Sequence, residues 1–318
     1  MKIVLFSPLA NTSAIGRVTA LIAPALIELG HTLTLVRTEQ PHLLSVPPHS
    51  CAADDVLAWN DEAKVEHALA DADALVYQMG NSYEFHSGGL HWIARRPGIV
   101  CLHDFVVAHL FAGWAETRRN EAEDVLRRWY GDAVTRTYFS ARDHHEFMAS
   151  ASRDHPMTEW ICAMAQGVIS HSRWGMPRVL RASAWPACVA PLPYSAPAAR
   201  PATAAGQDKG NVRVKILTVG HANPNKRIES VIRAIGESAV LRDRVEYKVC
   251  GRIDPRYGLE LARTARAARV RLHISGEIND MRLQAEMRQA DIVCCLRWPS
   301  FESASATTIE GLLYGKAV

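Results

Sequence analysis

The stretch "KIVLFSPLANTSAIGRVTALIAPALIELGHTLTLV" (residues 2–36) contains two apolar runs of strand length separated by a segment of helix length. The runs "KIVLF" and "TLTLV" predict buried strands, and the residues from Gly16 to Leu29 predict a helix that Gly30 ends. A strand, a helix and a second strand in this order form the β-α-β unit of a parallel sheet. The beginning of the chain therefore predicts an α/β fold.

The same alternation continues along the chain. "DALVYQ" and "GIVCLH" predict two more strands, and a helical, mixed-charge region follows from about residue 105 to residue 164, before "GVIS". The stretch "SAPAARPATAAGQDKGN" is rich in Ala, Pro and Gly and has no periodicity, so we interpret it as a linker. After it, "VKILTVG", "EYKVCG", "VRLHISG" and "DIVCCLR" predict further strands, each followed by a helical pattern.

The predicted fold class is α/β, with two tandem Rossmann-like, doubly wound domains that face a cleft. The predicted first domain is 1–195, the linker is 196–211 and the second domain is 212–318. Doubly wound sheets bind their ligands beyond the carboxyl ends of the strands. Candidate functional residues are therefore expected in the loops that follow the strands.

The composition is that of a globular protein. Of the 318 residues, 48% are apolar and 22% are charged, and no apolar run approaches the ~20 residues that span a bilayer. The N-terminus does not resemble a signal peptide, which predicts a cytoplasmic location. The net charge of +3 is too small to predict nucleic-acid binding, whereas peripheral contact with an anionic membrane stays open. Seven cysteines without a CxxC pair predict reduced, buried thiols.

A loop of the second domain carries residues suited to an anion. In "VGHANPNKR", Gly220 ends a predicted strand, and Lys226 and Arg227 stand at a predicted helix start. There the positive side chains would add to the helix dipole in attracting a phosphate group. A diphosphate is the natural candidate, and the alternative is that both cations are simply solvated.

The stretch "FESASATTIE" (301–310) places two glutamates around small and hydroxylated residues. Glu302 falls in a strand-to-helix loop and Glu310 lies about one turn into the helix, so a metal pair on one helix face is not predicted. The small residues at 303–306 would let a ligand approach the backbone N–H groups at the helix start. The alternative is a capping box, in which Thr307 is the cap and Glu310 reaches back to its N–H.

These two stretches carry a resemblance. "GHANPNKRIESVIRAI" followed by "FESASATTIEGLLYGKAV" resembles the donor domain of retaining nucleotide-sugar glycosyltransferases of family 4, which have the two-Rossmann GT-B architecture. In the first domain, "YQMGNS" and "PGIVCLHDF" are similar to the strand ends that face the sugar in that family. The match extends over nearly the whole chain, and its specific part is the Glu-x7-Glu element.

The resemblance implies three catalytic residues. His103 matches the histidine that touches the donor sugar near the reacting carbon, and Glu302 matches the glutamate that contacts the sugar hydroxyls. Lys226 would stabilise the departing nucleoside diphosphate. Glu310 would bind the ribose hydroxyls.

The resemblance also implies a wider donor site. Gly16 matches the N-terminal loop that closes over donor and acceptor, and Ile278 is a wall near the nucleobase. Family members commonly carry arginine at the position of His221 and glycine at the position of Ser305. The implied donor-binding residues are Gly16, Gly220, His221, Arg227, Ile278, Ser305, Ala306 and Glu310.

The implied reaction moves a sugar with retention from a nucleotide-sugar to a carbohydrate or lipid-linked acceptor, as in surface polysaccharide assembly. It implies no cofactor and no metal. In "RDHHEF" (142–147), neighbouring side chains on a helix diverge by ~100°, so they do not predict a metal site. Two alternatives stay open: a sugar-nucleotide epimerase of the same architecture, and a degenerate fold that binds a nucleotide or partner without turnover.

The family pattern continues after "GKAV" with a strand and further helices. We therefore expect this chain to be a truncated form of a longer protein, or to be completed by another chain. Such a second domain would be incomplete, and low activity and self-association are expected of the chain alone.

Overall fold

A computed structural model describes residues 1–140, 145–151, 153–194, 213–301 and 304–318. The predicted linker, 196–211, and Glu302 lie outside these residues. The described chain forms two compact units: the first is Met1–Pro193 with Phe301 and Ala304, and the second is Tyr194, 213–300 and Ser305–Val318.

In the described part of the first unit, seven parallel strands form one sheet. They are β1 (Lys2–Ser7), β2 (Thr32–Arg37), β3 (Asp55–Ala58), β4 (Ala74–Met79), β5 (Ile99–Leu102), β6 (Gly167–Ser170) and β7 (Ala187–Val189). Their spatial order is β3-β2-β1-β4-β5-β6-β7, so the direction of winding reverses between β1 and β4. The register places Leu5 opposite both Leu35 and Val76.

Helices connect most of these parallel strands, whereas β2 and β3 are joined by an irregular segment, residues 38–54. The helices are α1 (Ala14–Glu28), α2 (Glu62–Leu69), α3 (Tyr83–Ile93), α4 (Ala108–Ala115), α5 (Arg119–Ser140), α6 (His145–Ala151), α7 (Thr158–Met164) and α8 (Met176–Ala182). Helix α5 is interrupted at Gly131, whose φ of 82° breaks the helical path.

The described part of the second unit has four parallel strands. They are β8 (Val214–Val219), β9 (Val245–Cys250), β10 (Leu272–Ile274) and β11 (Ile292–Val293), in the order β10-β9-β8-β11. The helices are α9 (Ile228–Glu237), α10 (Ala239–Arg244), α11 (Pro255–Ala267), α12 (Asp280–Gln289) and α13 (Ala306–Leu313), with a 3₁₀ turn at Pro224–Lys226. The order repeats that of the first four strands of the first unit. The predicted α/β class, with two Rossmann-like sheets, is confirmed.

Each sheet is packed on both faces. In β1, Val4 and Phe6 belong to one apolar cluster, whereas Ile3 and Leu5 belong to another. Successive strand residues point to opposite faces, so a continuous apolar run is what a sheet covered on both sides requires. The second sheet is packed in the same way, by two further clusters.

Two further sequence predictions bear on the described residues. None of the described helices is both long and apolar enough to cross a membrane. All seven cysteines are free thiols. The prediction that they are buried holds for Cys101, Cys162 and Cys250, whereas Cys51, Cys294 and Cys295 are half-buried and Cys188, on the short edge strand β7, is exposed.

Candidate functional site

Three neighbouring strands of the second unit end in glycines with positive φ. These are Gly220 after β8 (φ 94°), Gly251 after β9 (φ 140°) and Gly276 after β10 (φ 68°), a backbone region that side chains rarely adopt. Gly220 N–H donates to the Cys250 carbonyl and Gly251 N–H to the Gly276 carbonyl. We call these three residues the glycine edge. A Cβ on Gly251 would lie 2.2 Å from the Gly220 carbonyl oxygen, so only glycine allows this approach.

Lys226 lies against the glycine edge. It ends the 3₁₀ turn, and its ammonium donates to the carbonyl of Val219 at 2.6 Å. A Cβ on Gly220 would lie 3.1 Å from Lys226 Nζ. The lysine is only 8% exposed. A lysine is rarely buried to this extent unless other groups hold it, as the Val219 carbonyl does here. Arg227, the next residue, is exposed and has a φ of 55° before α9 begins.

The loops after β8 and β9 carry two more basic residues, His221 and Arg252. The pKa of His221 is lowered by burial and by the positive charges of Arg252 and Lys226. Ala222 N–H donates to the Arg252 carbonyl, which joins the loops after β8 and β9. The glycine edge thus combines accessible backbone with several basic side chains, an arrangement that favours an anion.

The loop after β11 approaches the same turn. Trp298 N–H donates to the carbonyl of Asn225, which precedes Lys226. Burial raises the pKa of the Cys295 thiol, whereas a side-chain hydrogen bond with Thr308 and the charge of Lys226 lower it. Thr308 is in the first turn of α13, so the start of that helix and Lys226 lie at one strand end.

Ser305 is the N-cap of α13. Its hydroxyl accepts a hydrogen bond from Thr308 N–H at 3.4 Å, and Ala306 is the first helical residue. The capping box with Thr307 as cap is therefore wrong, because the helix begins two residues earlier than that alternative requires. Glu310 is the fifth helical residue, too far along the helix for the capping position, and its side chain is buried.

Ile278 lies in an open cavity at the end of β10. The cavity has a volume of about 610 Å³, and its lining includes His273, Ser275, Ile278 and Arg282. Ile278 also packs against the apolar cluster that contains Leu217. It therefore forms an apolar wall beside polar groups, as expected of a small-molecule site.

In the first unit, His103 follows β5 and is 8% exposed. Its Nε2 donates to the side-chain oxygen of Gln78, at the end of β4, because an amide oxygen only accepts. The pKa of His103 is lowered well below its ordinary value by burial and by the neighbouring His171 and His86. The ring is therefore a neutral hydrogen-bonding group at physiological pH.

Gly16 lies near the same edge of the first sheet. Its N–H donates to Ser13, the N-cap of α1, and a Cβ would lie 2.5 Å from the carbonyl oxygen of Pro8. A Cβ on Gly80 would meet both Ile15, beside Gly16, and Asp104, beside His103. The structure thus brings Gly16 and His103 to the same edge of the first sheet, on either side of the end of β4.

Several residues of these edges were not predicted from the sequence. Gly251 and Arg252 had a detectable signal, a strand ending in glycine followed by a cation. Cys101 and His171 were also not predicted, and they form a cluster with the predicted His103 in which the possible ligand atoms lie within 4.8 Å of one another. The sequence signal for this cluster is a Cys-x-His pattern at the end of strand β5 and a histidine directly after strand β6.

The comparisons with known proteins agree with this architecture. Residues 202–318 match the family model "Glycosyl transferases group 1". No curated protein sequence matches the chain. WaaG, a glycosyltransferase involved in lipopolysaccharide biosynthesis, has a similar structure with a TM-score of 0.56 and 15% identity, over 99% of this chain and 80% of WaaG.

Two other solved structures are similar. Anabaena Alr3699/HepE in complex with UDP gives a TM-score of 0.58 with 15% identity, over 99% of this chain and 79% of that one. Sucrose-phosphate synthase from Thermosynechococcus elongatus gives 0.56 and 15%, over 99% and 80%. The fold is that of the GT-B glycosyltransferases. The match to the group 1 family model covers the GT-B unit that carries the glycine edge, Lys226 and α13.

Proposed function

We propose that this chain is a retaining glycosyltransferase of family 4, which moves a sugar from a nucleotide-sugar to a carbohydrate or lipid-linked acceptor in surface polysaccharide assembly. The observation that carries the proposal is the buried cation of Lys226 at the glycine edge, beside the loops that hold His221 and Arg252. The group 1 match over this unit supports it. HepE, one of the similar proteins, has been crystallised with UDP and with UDP-glucose.

The proposed chemistry needs stabilisation of a leaving diphosphate. When the bond from the sugar to the diphosphate breaks, negative charge builds on the phosphate oxygens, and fixed cations and N–H donors lower the barrier. Lys226 supplies one buried cation, and the N-terminus of α13 supplies backbone N–H groups. We propose that this charge acts without a metal ion.

The ribose, the base and the sugar of the donor are proposed to bind residues at the other strand ends. Glu310 would accept hydrogen bonds from the ribose hydroxyls, and the cavity beside Ile278 would hold the base. His103 would contact the sugar through its neutral imidazole. The proposed role of Glu302 concerns a residue outside the described part of the chain.

We propose that the acceptor binds a cavity of the first unit with a volume of about 640 Å³. Trp59 and Trp114 provide aromatic surface for the apolar face of a sugar or lipid. Arg95 and Arg118 also line the cavity, where they pair with the exposed carboxylates of Glu62 and Glu121, which an anionic acceptor would replace. Arginine binds carboxylate and phosphate groups through paired N–H donors. An anionic acceptor fits this lining.

The acceptor assignment is tested by comparing two arginines. Arg118→Ala is expected to raise the KM for an anionic acceptor by about tenfold, while Arg128→Ala, an exposed arginine outside the cavity lining, stays near wild type. Equal KM values in both variants would remove the cavity from acceptor binding.

The proposed function is tested by incubating the chain with UDP-sugars, GDP-sugars and ADP-sugars and following release of the nucleoside diphosphate. We expect release that depends on one donor and increases with acceptor, and a product with the anomeric configuration of the donor. Conversion of the free sugar-nucleotide into an epimer would replace the proposal by the epimerase. Calorimetric binding without any turnover would replace it by the binding module.

A further inference from the structure

Cys101, His103 and His171 lie together at the ends of two adjacent strands of the first unit. Cys101 and His103 are two residues apart along β5 and its end, so their side chains lie on one face. Strand β6 pairs with β5 in parallel, with Ser170 opposite Leu102, so His171 follows directly beside His103. The ring centroids of the two histidines are 4.8 Å apart.

The distances suit a single metal ion. Cys101 Sγ lies 3.4 Å from His171 Nε2. In a tetrahedral zinc site, with Zn–S of ~2.3 Å and Zn–N of ~2.0–2.1 Å, neighbouring ligand atoms are about 3.5 Å apart. Each of the three residues offers a ligand atom within 4.8 Å of the other two. Closing the third ligand onto the ion needs a side-chain shift of about 1 Å.

Both histidines are oriented by a second hydrogen bond. His171 Nδ1 donates to the carbonyl of Ala190 at 3.0 Å, and this tautomer directs the lone pair of Nε2 towards Cys101. Gln78 accepts from His103. Metal-ligating histidines almost always donate their other N–H to a carbonyl or carboxylate, which fixes the ring and raises its basicity.

We propose that Cys101, His103 and His171 form a binding site for a thiophilic divalent ion, Zn²⁺ or one of similar preference, with the thiolate and two imidazoles as protein ligands. The thiol loses its proton to solvent when the metal–sulfur bond forms. Three protein ligands leave one position of a tetrahedral ion for water. His171 is partly exposed, which gives the ion a path to the site.

A metal ion bound here would coordinate the imidazole of His103, which in the proposed function contacts the donor sugar. The site is therefore expected to oppose transfer. This consequence rests on the proposed function, whereas metal binding itself does not.

The test is a titration of the full, metal-free chain with Co²⁺, whose spectrum distinguishes sulfur from nitrogen ligands. We expect one equivalent to produce tetrahedral d–d bands and a thiolate-to-cobalt charge-transfer band. Cys101→Ser should abolish the charge-transfer band, and Gln78→Leu should weaken binding by ~10–100-fold, as loss of an orienting partner does. Cys51→Ser, which alters a half-buried thiol outside the cluster, is the matched control and should keep the band.

X-ray absorption of the zinc-loaded wild-type chain keeps the test independent of variant folding. One sulfur at ~2.3 Å and imidazole nitrogens at ~2.0–2.1 Å are expected. A zinc shell without sulfur, or a charge-transfer band that persists in Cys101→Ser, would overturn the proposal. In that case the 3.4 Å contact is a thiol–imidazole hydrogen bond alone.

Discussion

Lys226 is a buried cation whose ammonium donates to the Val219 carbonyl beside Gly220. If it stabilises the leaving diphosphate, Lys226→Ala should lower kcat by ~10²–10³-fold, the scale for loss of one preorganised donor. Lys215→Ala, which alters an exposed lysine of the same unit, is the control and should stay near wild type. Steady-state donor turnover measures both, and a Lys226→Ala rate within a few-fold of wild type would contradict the role.

His221 provides a pH-dependent prediction. Burial and the charges of Arg252 and Lys226 lower its pKa. A bound diphosphate adds negative charge and favours the protonated ring, so binding should raise this pKa. By linkage, affinity for a nucleoside diphosphate should increase as the pH falls below the ordinary histidine pKa, because the ring of the unbound protein takes up its proton only at a lower pH.

The measurement is NMR titration of the His221 ring with and without the best-binding nucleoside diphosphate. The corresponding nucleoside, which lacks the phosphates, is the control and should leave the pKa unchanged. His221→Gln should flatten the pH dependence of affinity. A His221 pKa that does not move on diphosphate binding would place the phosphates elsewhere.

At the level of elements, two residues of α13 and its cap allow the free energy of unfolding and nucleotide affinity to be tested separately. Ser305 caps this helix, so Ser305→Ala should lower the free energy of unfolding by ~0.5–2 kcal/mol. Glu310 does not belong to the cap, and Glu310→Gln should weaken nucleotide binding by about 10–100-fold, the value of a hydrogen bond to a charged group. Denaturant melts and calorimetry measure the two effects, with the exposed Glu237→Gln as control. Unchanged nucleotide affinity in Glu310→Gln would contradict the ribose role.

Most strands that the sequence predicted have buried residues, and the half-exposed edge strand β10 was predicted as well, from "VRLHISG". Strands β1, β2, β4, β5, β8 and β9 follow apolar runs, because burial on both faces requires them. The edge strands β3 and β7 were missed because their apolar runs, "VLAW" and "ACVA", are short and the residues of both strands are largely exposed. At β11 the run "DIVCCLR" is longer than the paired strand, Ile292–Val293, because apolarity reports burial and not pairing.

At the level of the whole molecule, alternation along the chain predicted two sheets and their class, since it depends on neighbours in sequence. Contacts between residues that are distant in the sequence produce no comparable pattern of residue types along the chain. Glu39 accepts from the N–H groups of Leu9 and Ala10 and pairs with Arg37 at 3.1 Å, with no exposure of the Glu39 side chain. Arg37 also donates to three backbone carbonyls, at residues 43, 44 and 46. No local signal marks a glutamate that fixes the loop between β1 and α1.

This network leads to a prediction for the stability of the whole chain. Glu39→Ala would leave the charge of Arg37 buried without its partner, which costs ~3–5 kcal/mol. That is a large share of the ~5–15 kcal/mol that stabilises a typical protein, so the variant should unfold at much lower denaturant concentration. Glu28→Ala, which removes an exposed glutamate from the end of α1, is the control and should change the free energy of unfolding by less than ~0.5 kcal/mol. Similar denaturant midpoints for the two variants would show that the loop is held by its backbone and apolar contacts, and that Glu39 is not what positions Gly16 beside it.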